Sequence, residues 1–160
     1  MIFVTVGTHE QQFNRLVKAV DELVADGTIK EEVIIQKGYS DYEPKHCKSY
    51  ILISYKDMQK YYDEARVIIT HGGPASFMGA LERNKTPIVM PRLKKYGEHV
   101  NNHQDFFCRE VEKRMKSIKV VENKNELNKA LKSDSSIKSI KLSNNRHFNY
   151  QLRKIIGDLS

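Results

Sequence analysis

The chain has 160 residues, 39% of them hydrophobic, so one domain with a core of moderate size is expected. No apolar stretch is long enough to span a bilayer, the N-terminus has no signal-peptide pattern, and the two cysteines suit neither disulfides nor metal binding, which together indicate the cytoplasm. The formal charge of +7 lies entirely in residues 111–160. This basic region is either a solvated, lysine-rich surface or a surface that attracts anionic lipid or an acidic partner. Because no nucleic-acid-binding motif accompanies it, no nucleic acid is expected.

Hydrophobic periodicity predicts that strands and helices alternate along the chain. Strands are predicted at residues 2–6, 33–35, 50–53, 67–70, 88–90 and 118–121. Helices are predicted at residues 12–25, 57–65, 75–84, 99–115, 124–132 and about 145–156. This order predicts an α/β fold with a Rossmann-like, doubly wound parallel sheet. Residues 1–132 would form the ligand-binding domain, and residues 133–160 a polar linker and a basic helix that packs on it.

The most specific part of the chain is the segment 71–104, HGGPASFMGALERNKTPIVMPRLKKYGEHVNNHQ. It begins with glycines between a predicted strand and helix, and continues through a second strand to a polar helix start. Glycines at such a turn let a phosphate reach backbone N–H groups at the positive end of a helix dipole. Because the carboxyl ends of parallel strands share one edge of the sheet, the segment predicts a nucleotide or nucleotide-sugar site.

Several other kinds of site are excluded because their motifs are missing. There is no P-loop sequence, and only Gly7 follows the first strand, where dinucleotide-binding proteins have a three-glycine motif. The HGG sequence is similar to an esterase oxyanion loop, but no G-x-S-x-G nucleophile elbow accompanies it. His99 and His103 have the spacing of paired zinc ligands, yet the glutamate of the zincin pattern is absent, so no metal is expected.

Polar residues recur where the predicted strands end. They are Gly7 and Thr8 after the first strand, Ser54 and Tyr55 after the third, His71, Gly72, Gly73 and Ser76 after the fourth, and Asn102, His103 and Gln104 at a later helix start. Each group alone is compatible with a tight turn, loop packing, a helix cap or a solvated surface. Together they predict one ligand site, with a ring for a nucleobase at Tyr55 and hydrogen bonds to ribose or phosphate from residues 102–104.

The sequence SYKDMQKYYDEARVIITHGGPASFMGALERNKTPIVMPR…GEHVNNHQ resembles the C-terminal, donor-binding half of GT-B glycosyltransferases of family 28. The resemblance runs from VTVGT at residues 4–8 to about residue 130. It is closest to free-standing subunits, namely the Alg13 type of N-glycan assembly and the PssE, EpsF and Cps14G type of capsule and exopolysaccharide synthesis. In these split enzymes one chain binds the nucleotide sugar, and a membrane-anchored, Alg14-like chain binds the acceptor. The length of this chain suits one such half.

The resemblance implies a role for each residue of the polar set. The implied UDP-sugar contacts are, for the diphosphate, Gly7 and Thr8; for the uracil, Ser54 and Tyr55; for the donor phosphates, His71, Gly72, Gly73 and Ser76; and for sugar and ribose hydroxyls, Asn102, His103 and Gln104. Many members also bind the ribose with a glutamate on the helix after the glycine turn, where this chain has Gly79. Glu82 is only approximately on the same face, and Glu98 is the expected substitute. Ala75 replaces a common glycine and is expected to tighten the phosphate turn.

The implied reaction is inverting transfer of a galactose-, glucose- or N-acetylglucosamine-type hexose from a UDP-sugar to a polyprenyl-diphosphate-linked saccharide. The chain would act at the inner face of the cytoplasmic membrane through its partner. Backbone dipoles and cationic side chains would stabilise the leaving diphosphate without a metal or other cofactor. Arg92, Lys94 and Lys95 are candidates for this charge or else plain surface residues. The general base is expected in the partner, and His9 and His99 are the in-chain candidates.

Two other functions stay open. A UDP-sugar epimerase uses the same scaffold, but it would need two fused Rossmann halves, against which the chain length argues. A non-catalytic subunit that enhances or anchors a partner enzyme is the alternative that Gly79 favours.

Overall fold

A continuous apolar run, Ile2–Thr5, forms the central strand of a parallel sheet because helices cover both of its faces. The computed structural model describes residues 1–133 and 153–154. Its elements are, in chain order, β1 Ile2–Thr5, α1 Asn14–Ala25, β2 Val33–Gln36, β3 Lys48–Tyr50, α2 Tyr55–Glu64, β4 Val67–His71, α3 Pro74–Leu81, β5 Ile88–Met90, α4 His103–Met115, β6 Lys119–Val120 and α5 Lys124–Ser133, with a 3-10 turn at Lys94–Tyr96.

The strand order is β3-β2-β1-β4-β5-β6, and every pairing is parallel. Val4 at the centre of β1 lies opposite Ile35 of β2 and Ile69 of β4. The order of the strands therefore reverses at β1, and the chain leaves β1 and β4 toward opposite sides of the sheet. This topology confirms the predicted Rossmann-like fold, and it opens a crevice at the carboxyl ends of these two strands.

Helices pack on both faces of the sheet, as the doubly wound fold requires. On one face, α1 and α5 contribute Leu16 and Leu127 to a core that includes Val4. On the other face, α2 and α3 pack Tyr62 and Ala80 against the opposite side of the same strands. A further cluster joins α3 and α4 to β5 and β6. The two layers hold the strand ends rigidly enough to position a site on the loops between them.

The third strand lies two residues earlier than its apolar run predicts. Lys48–Tyr50 pairs with β2, and the register ends with Tyr50 opposite Gln36, the last residue of β2. Ile51 and Leu52 lie beyond this pairing and are 64% and 62% exposed. The apolar run therefore predicted a buried strand where the chain has an exposed edge, because β2 ends before it.

Helix α4 begins four residues later than predicted. A 3-10 turn occupies Lys94–Tyr96, and Gly97 then takes a left-handed conformation with φ of 68°. The chain becomes helical only at His103, so His99 is not on the helix. The spacing of His99 and His103 therefore does not place both rings on one helical face.

Two further findings concern membrane-spanning helices and the predicted C-terminal elements. Within residues 1–133 and 153–154, no helix has the length and apolar character needed to cross a membrane. The predicted linker after Ser133, and the predicted helix 145–156 apart from residues 153–154, lie outside the described residues.

Candidate functional site

A cleft of about 540 Å³ opens at the carboxyl edge of the sheet, between the loop after β1 and the N-termini of α2 and α3. Its volume is in the range of small-molecule sites, roughly 300–1,000 Å³. Eight residues of the predicted set line it: Gly7, Thr8, His9, Tyr55, His71, Gly73, Ser76 and Gln104. The sheet therefore brings together residues from four separate loops, as the strand-end pattern predicted.

The imidazole of His71 is the centre of this cleft's floor. His71 is the last residue of β4 and is only 6% exposed. Gly7 and Gly73 lie against its ring, and a Cβ atom at either glycine would overlap it. The glycines that indicated a phosphate loop thus also make room for a buried histidine.

Hydrogen bonds connect His71 to two neighbouring residues. Its Nε2 is 2.9 Å from the Ser76 hydroxyl, and its Nδ1 is 3.4 Å from Nε2 of Gln104. The side-chain oxygen of Gln104 accepts hydrogen bonds from the backbone N–H groups of Gly72 and Arg92, both at 3.1 Å. Burial, followed by the nearby Arg92 guanidinium, lowers the pKa of His71 to about 3. The ring is therefore neutral at physiological pH and is a hydrogen-bonding group rather than a cation.

The N-terminus of α3 supplies open backbone donors to the cleft. Gly73 caps the helix, and within the described residues no hydrogen bond engages its N–H group or that of Ala75. In contrast, the N–H of Gly7 donates to the Thr5 hydroxyl at 3.2 Å, and the N–H of Gly72 donates to Gln104. An anion in the cleft therefore meets the N–H groups of Gly73 and Ala75 rather than those of Gly7 and Gly72.

The ring of Tyr62 occupies the space that a side chain at position 79 would need. A Cβ atom at Gly79 would lie 2.7 Å from Cζ of the Tyr62 ring. The Tyr62 hydroxyl donates to the Ser76 carbonyl at 2.7 Å, which holds the ring against α3. Tyr62 thus occupies the space next to the position where the resemblance places a ribose-binding glutamate.

Glu98 lies in the protein interior and not on the wall of the cleft. It is 1% exposed, and its carboxylate accepts hydrogen bonds from Arg15 at 2.9 and 3.0 Å and from the N–H of Leu93 at 3.0 Å. Its oxygen atoms are thus engaged in a buried ion pair that fixes the loop before α4. The structure gives Glu98 no face that a ribose can reach.

Arg92 is buried as well, although its position suggested a cation beside the diphosphate. It is fully buried, and its guanidinium donates to the carbonyl oxygens of Val6, Gln11, Gln12 and Glu98 at 2.7–3.2 Å. Burial lowers its pKa to about 10. Arg92 therefore ties the loop after β1 to the loop after β5.

The remaining predicted residues lie at the rim or outside the cleft. The Ser54 hydroxyl caps α2 by accepting from the N–H of Asp57 at 3.2 Å. The Asn102 side chain accepts from the N–H of Lys94 at 2.9 Å, and His103 is exposed. The rings of His9 and His99 stack with centroids 4.7 Å apart and planes 6° apart. Burial, followed by the adjacent His9, lowers the pKa of His99.

Sequence reasoning missed part of the cleft wall. The missed residues are Thr5, Gln36, Met58, Gln59, Tyr62 and Pro74, and Ala75 was noted only for its effect on the turn. Gln36 is a polar residue at the end of an apolar strand, the same signal that identified the other loops. Met58 and Tyr62 gave no such signal because apolar residues at helical spacing indicate a core face.

Comparison with known proteins is consistent with this geometry. The family model described as "Glycosyltransferase family 28 C-terminal domain" matches residues 1–157. The chain belongs to this family and is a donor-binding domain of the GT-B type. No curated protein sequence matches it.

Solved structures share the fold at low sequence identity. The solution structure of ALG13 is 19% identical with a TM-score of 0.63, and the match covers 94% of both chains. The glycotransferase of kitacinnamycin is 14% identical with a TM-score of 0.62, and SnogD from Streptomyces nogalater is 17% identical with a TM-score of 0.54. Each of these two matches covers 99% of this chain. The chain spans only 38% and 39% of these two glycosyltransferases, whereas its extent is similar to that of ALG13.

Proposed function

We propose that this chain binds a UDP-sugar in the cleft and is the donor-binding, catalytic subunit of a two-chain inverting glycosyltransferase. The observation that carries the proposal is the N-terminus of α3, where the open N–H groups of Gly73 and Ala75 lie beside the Ser76 hydroxyl. Such donors suit the phosphates of a nucleotide sugar. The fixed dipoles of these N–H groups would stabilise the negative charge of the leaving diphosphate, in place of a metal ion or other cofactor.

The proposed partner supplies the acceptor half of the enzyme. The match covers 94% of ALG13 but only 38% of the kitacinnamycin enzyme, so this chain corresponds to less than half of that larger enzyme. We propose a membrane-anchored, Alg14-like subunit that binds a polyprenyl-diphosphate saccharide during capsule or exopolysaccharide synthesis. The chain would then be peripheral at the inner membrane face, and the hexose would pass to the lipid-linked acceptor. The general base would belong to the partner, with His9 and His99 as the in-chain candidates.

Binding of the diphosphate is tested by adding a negative charge at its proposed position. Ala75→Asp places a carboxylate in the first turn of α3, which favours the helix by about 0.3–1 kcal/mol but repels a diphosphate. We expect UDP, at about 100 times its Kd, to stabilise the native chain by about 2.7 kcal/mol and the variant by much less. Thermal unfolding with UDP, UDP-sugars, GDP and ADP measures both effects.

Asn123→Asp is the matched control because Asn123 is exposed and its side chain accepts from the N–H of Glu126 at the start of α5, away from the cleft. It should leave the UDP response unchanged. If no uridine nucleotide stabilises the native chain, the donor-binding proposal is wrong. The alternative of a non-catalytic enhancer subunit, for which the Tyr62 ring beside Gly79 is the relevant observation, would then be favoured.

Partner dependence requires an assay of sugar transfer. Radiolabelled UDP-sugar and a lipid extract from the source cells are incubated with the isolated chain, and with membranes that contain a candidate second subunit. We expect transfer only with both components. Full activity of the isolated chain would contradict the two-chain arrangement while leaving donor binding intact.

A further inference from the structure

Gln104 has an amide group whose orientation is fixed by the backbone. Its side-chain oxygen accepts from the N–H groups of Gly72 and Arg92, which follow the neighbouring strands β4 and β5. Only the oxygen of a carboxamide can accept two such bonds. The NH₂ group of Gln104 must therefore point the other way, toward His71.

The orientation of Gln104 in turn selects the tautomer of His71. The NH₂ group lies 3.4 Å from Nδ1 of the imidazole, and because an amide nitrogen only donates, Nδ1 has to be the unprotonated nitrogen. The ring is kept from gaining a second proton by its burial and by the nearby Arg92 guanidinium, both of which lower its pKa. The neutral ring thus carries its hydrogen on Nε2.

The tautomer of His71 then determines the direction of the Ser76 hydroxyl. Nε2 donates to Ser76 Oγ at 2.9 Å, so the hydroxyl's own hydrogen is free to point elsewhere. Ser76 is half-buried and lines the cleft, and within residues 1–133 and 153–154 no other side-chain partner engages its hydroxyl. With the opposite tautomer, Ser76 would donate to Nε2 and present only lone pairs to the cleft.

We propose that Gln104 and His71 are positioning residues that hold the Ser76 hydroxyl as a hydrogen-bond donor toward an anionic oxygen of the ligand. The identity of that oxygen, a phosphate oxygen of a nucleoside diphosphate, rests on the proposed function. The open N–H groups of Gly73 and Ala75 belong to the same helix N-terminus and line the same cleft, so all three donors would serve one anion. A hydroxyl locked as a donor attracts this anion, whereas a hydroxyl with the reverse orientation repels it.

The tautomer is measured directly by NMR of protein labelled with ¹⁵N-histidine, with no ligand present. The signals of His71 are assigned by their loss in His71→Gln, and we expect the pattern of an Nε2–H imidazole. Gln104→Glu keeps an acceptor for the N–H groups of Gly72 and Arg92, but it presents a second acceptor to Nδ1. This variant should change His71 to the Nδ1–H form or to the doubly protonated form.

Gln12→Met is the control because it also removes a glutamine, one whose amide donates to the Tyr96 carbonyl at 3.0 Å. It should leave the His71 pattern unchanged. An Nδ1–H tautomer in the native chain, or an unchanged pattern in Gln104→Glu, overturns the proposal. This test does not depend on nucleotide binding.

The effect on the ligand is measured as a double-mutant cycle with UDP. Ser76→Ala should raise the Kd at least about tenfold, since a hydrogen bond to a charged group contributes about 1.5–3 kcal/mol. Gln104→Glu should raise it by a similar factor in the native background and by at most about threefold beyond Ser76→Ala in the combined variant.

Equal effects of Gln104→Glu in both backgrounds would contradict action through Ser76. If native protein does not bind UDP at all, the proposed function fails, whereas the NMR result on the tautomer still stands or falls separately. Circular dichroism of each variant establishes that it is folded, so a loss of affinity is attributable to the site.

Discussion

The imidazole of His71 fills the space that Gly7 and Gly73 leave between the loop after β1 and the start of α3. Gly7 has φ of +76°, a conformation that already favours glycine, whereas Gly73 has φ of −74°, which any residue adopts. The absence of a side chain at Gly73 is therefore required by packing alone. A substitution at Gly73 therefore tests the contact between the glycine turn and the His71 ring without adding backbone strain.

Gly73→Ala should destabilise the fold by about 1–3 kcal/mol, because the added methyl group overlaps the buried His71 ring and one of the two must shift. Urea unfolding at neutral pH measures the change. In a His71→Ala background the overlap is gone, so the same substitution should cost much less. A similar cost in both backgrounds would show that His71 is not the obstacle.

The strand-end pattern predicted the centre of the cleft better than its rim. His71, Ser76 and Gln104 were identified because polar residues directly follow buried strands or begin a helix. Asn102 was identified by the same signal, yet its side chain accepts from Lys94 and serves the local loop. The sequence does not distinguish the two uses, because a polar side chain at a loop can satisfy either the ligand or its own backbone.

At the scale of elements, two arginines, the buried Arg92 and the partly buried Arg15, connect the loops on either side of the crevice. Arg92 reaches from the loop after β5 to carbonyl groups at Val6, Gln11 and Gln12, and Arg15 of α1 binds Glu98 at 2.9 Å. The loop after β1 therefore has its shape set by residues about 80 positions later in the chain.

Arg92→Met should destabilise the fold by about 3–5 kcal/mol, because several backbone carbonyl groups lose their donor and each unsatisfied buried acceptor costs about 1–3 kcal/mol. The loss of donors to Val6, Gln11 and Gln12 should raise amide hydrogen exchange in the loop after β1 more than in α5. Lys94→Met, an exposed neighbour, is the control and should change neither quantity. Uniform exchange across the chain would contradict the tie between the two loops.

Element boundaries were predictable where burial and periodicity agree, as in β5 and at the end of α1. They were not predictable at Ile51 and Leu52, which are apolar yet exposed because β2 ends before it reaches them. The start of α4 was likewise placed too early, since the side chains of His99 and Asn101 accept hydrogen bonds from the backbone N–H groups of Asn101 and His103 and compete with the helix. The first difference depends on where a neighbouring strand ends, and the second on local side-chain hydrogen bonds.

At the scale of the whole molecule, burial of a neutral histidine makes stability depend on pH. His71 has a pKa of about 3 in the fold and an ordinary value of 6.5 when exposed. Between these values the unfolded chain binds a proton that the folded chain does not. The free energy of unfolding should therefore fall as the pH decreases from about 6.5 toward 3, and His99, whose pKa is also lowered, contributes in the same direction.

Urea unfolding at a series of pH values measures this slope. His71→Gln should reduce the loss of stability between pH 6.5 and 4.5, whatever its effect at neutral pH. Asn125→Gln, which changes an exposed residue of α5 that has no titratable group, should leave the slope as it is. An unchanged slope in His71→Gln would mean that the ring is protonated in the fold at these pH values.

The central position of β1 affects how the protein is made. Of the described strands, β1 leaves the ribosome before the others, and it needs two neighbours, β2 and β4, the second of which ends only at His71. Until residue 71 has emerged, one edge of β1 has no partner, and its apolar residues lie open to other chains. The last residue of the strand that closes this edge is thus also the histidine on the cleft floor, so pairing of the central strand and placement of the His71 ring are completed together.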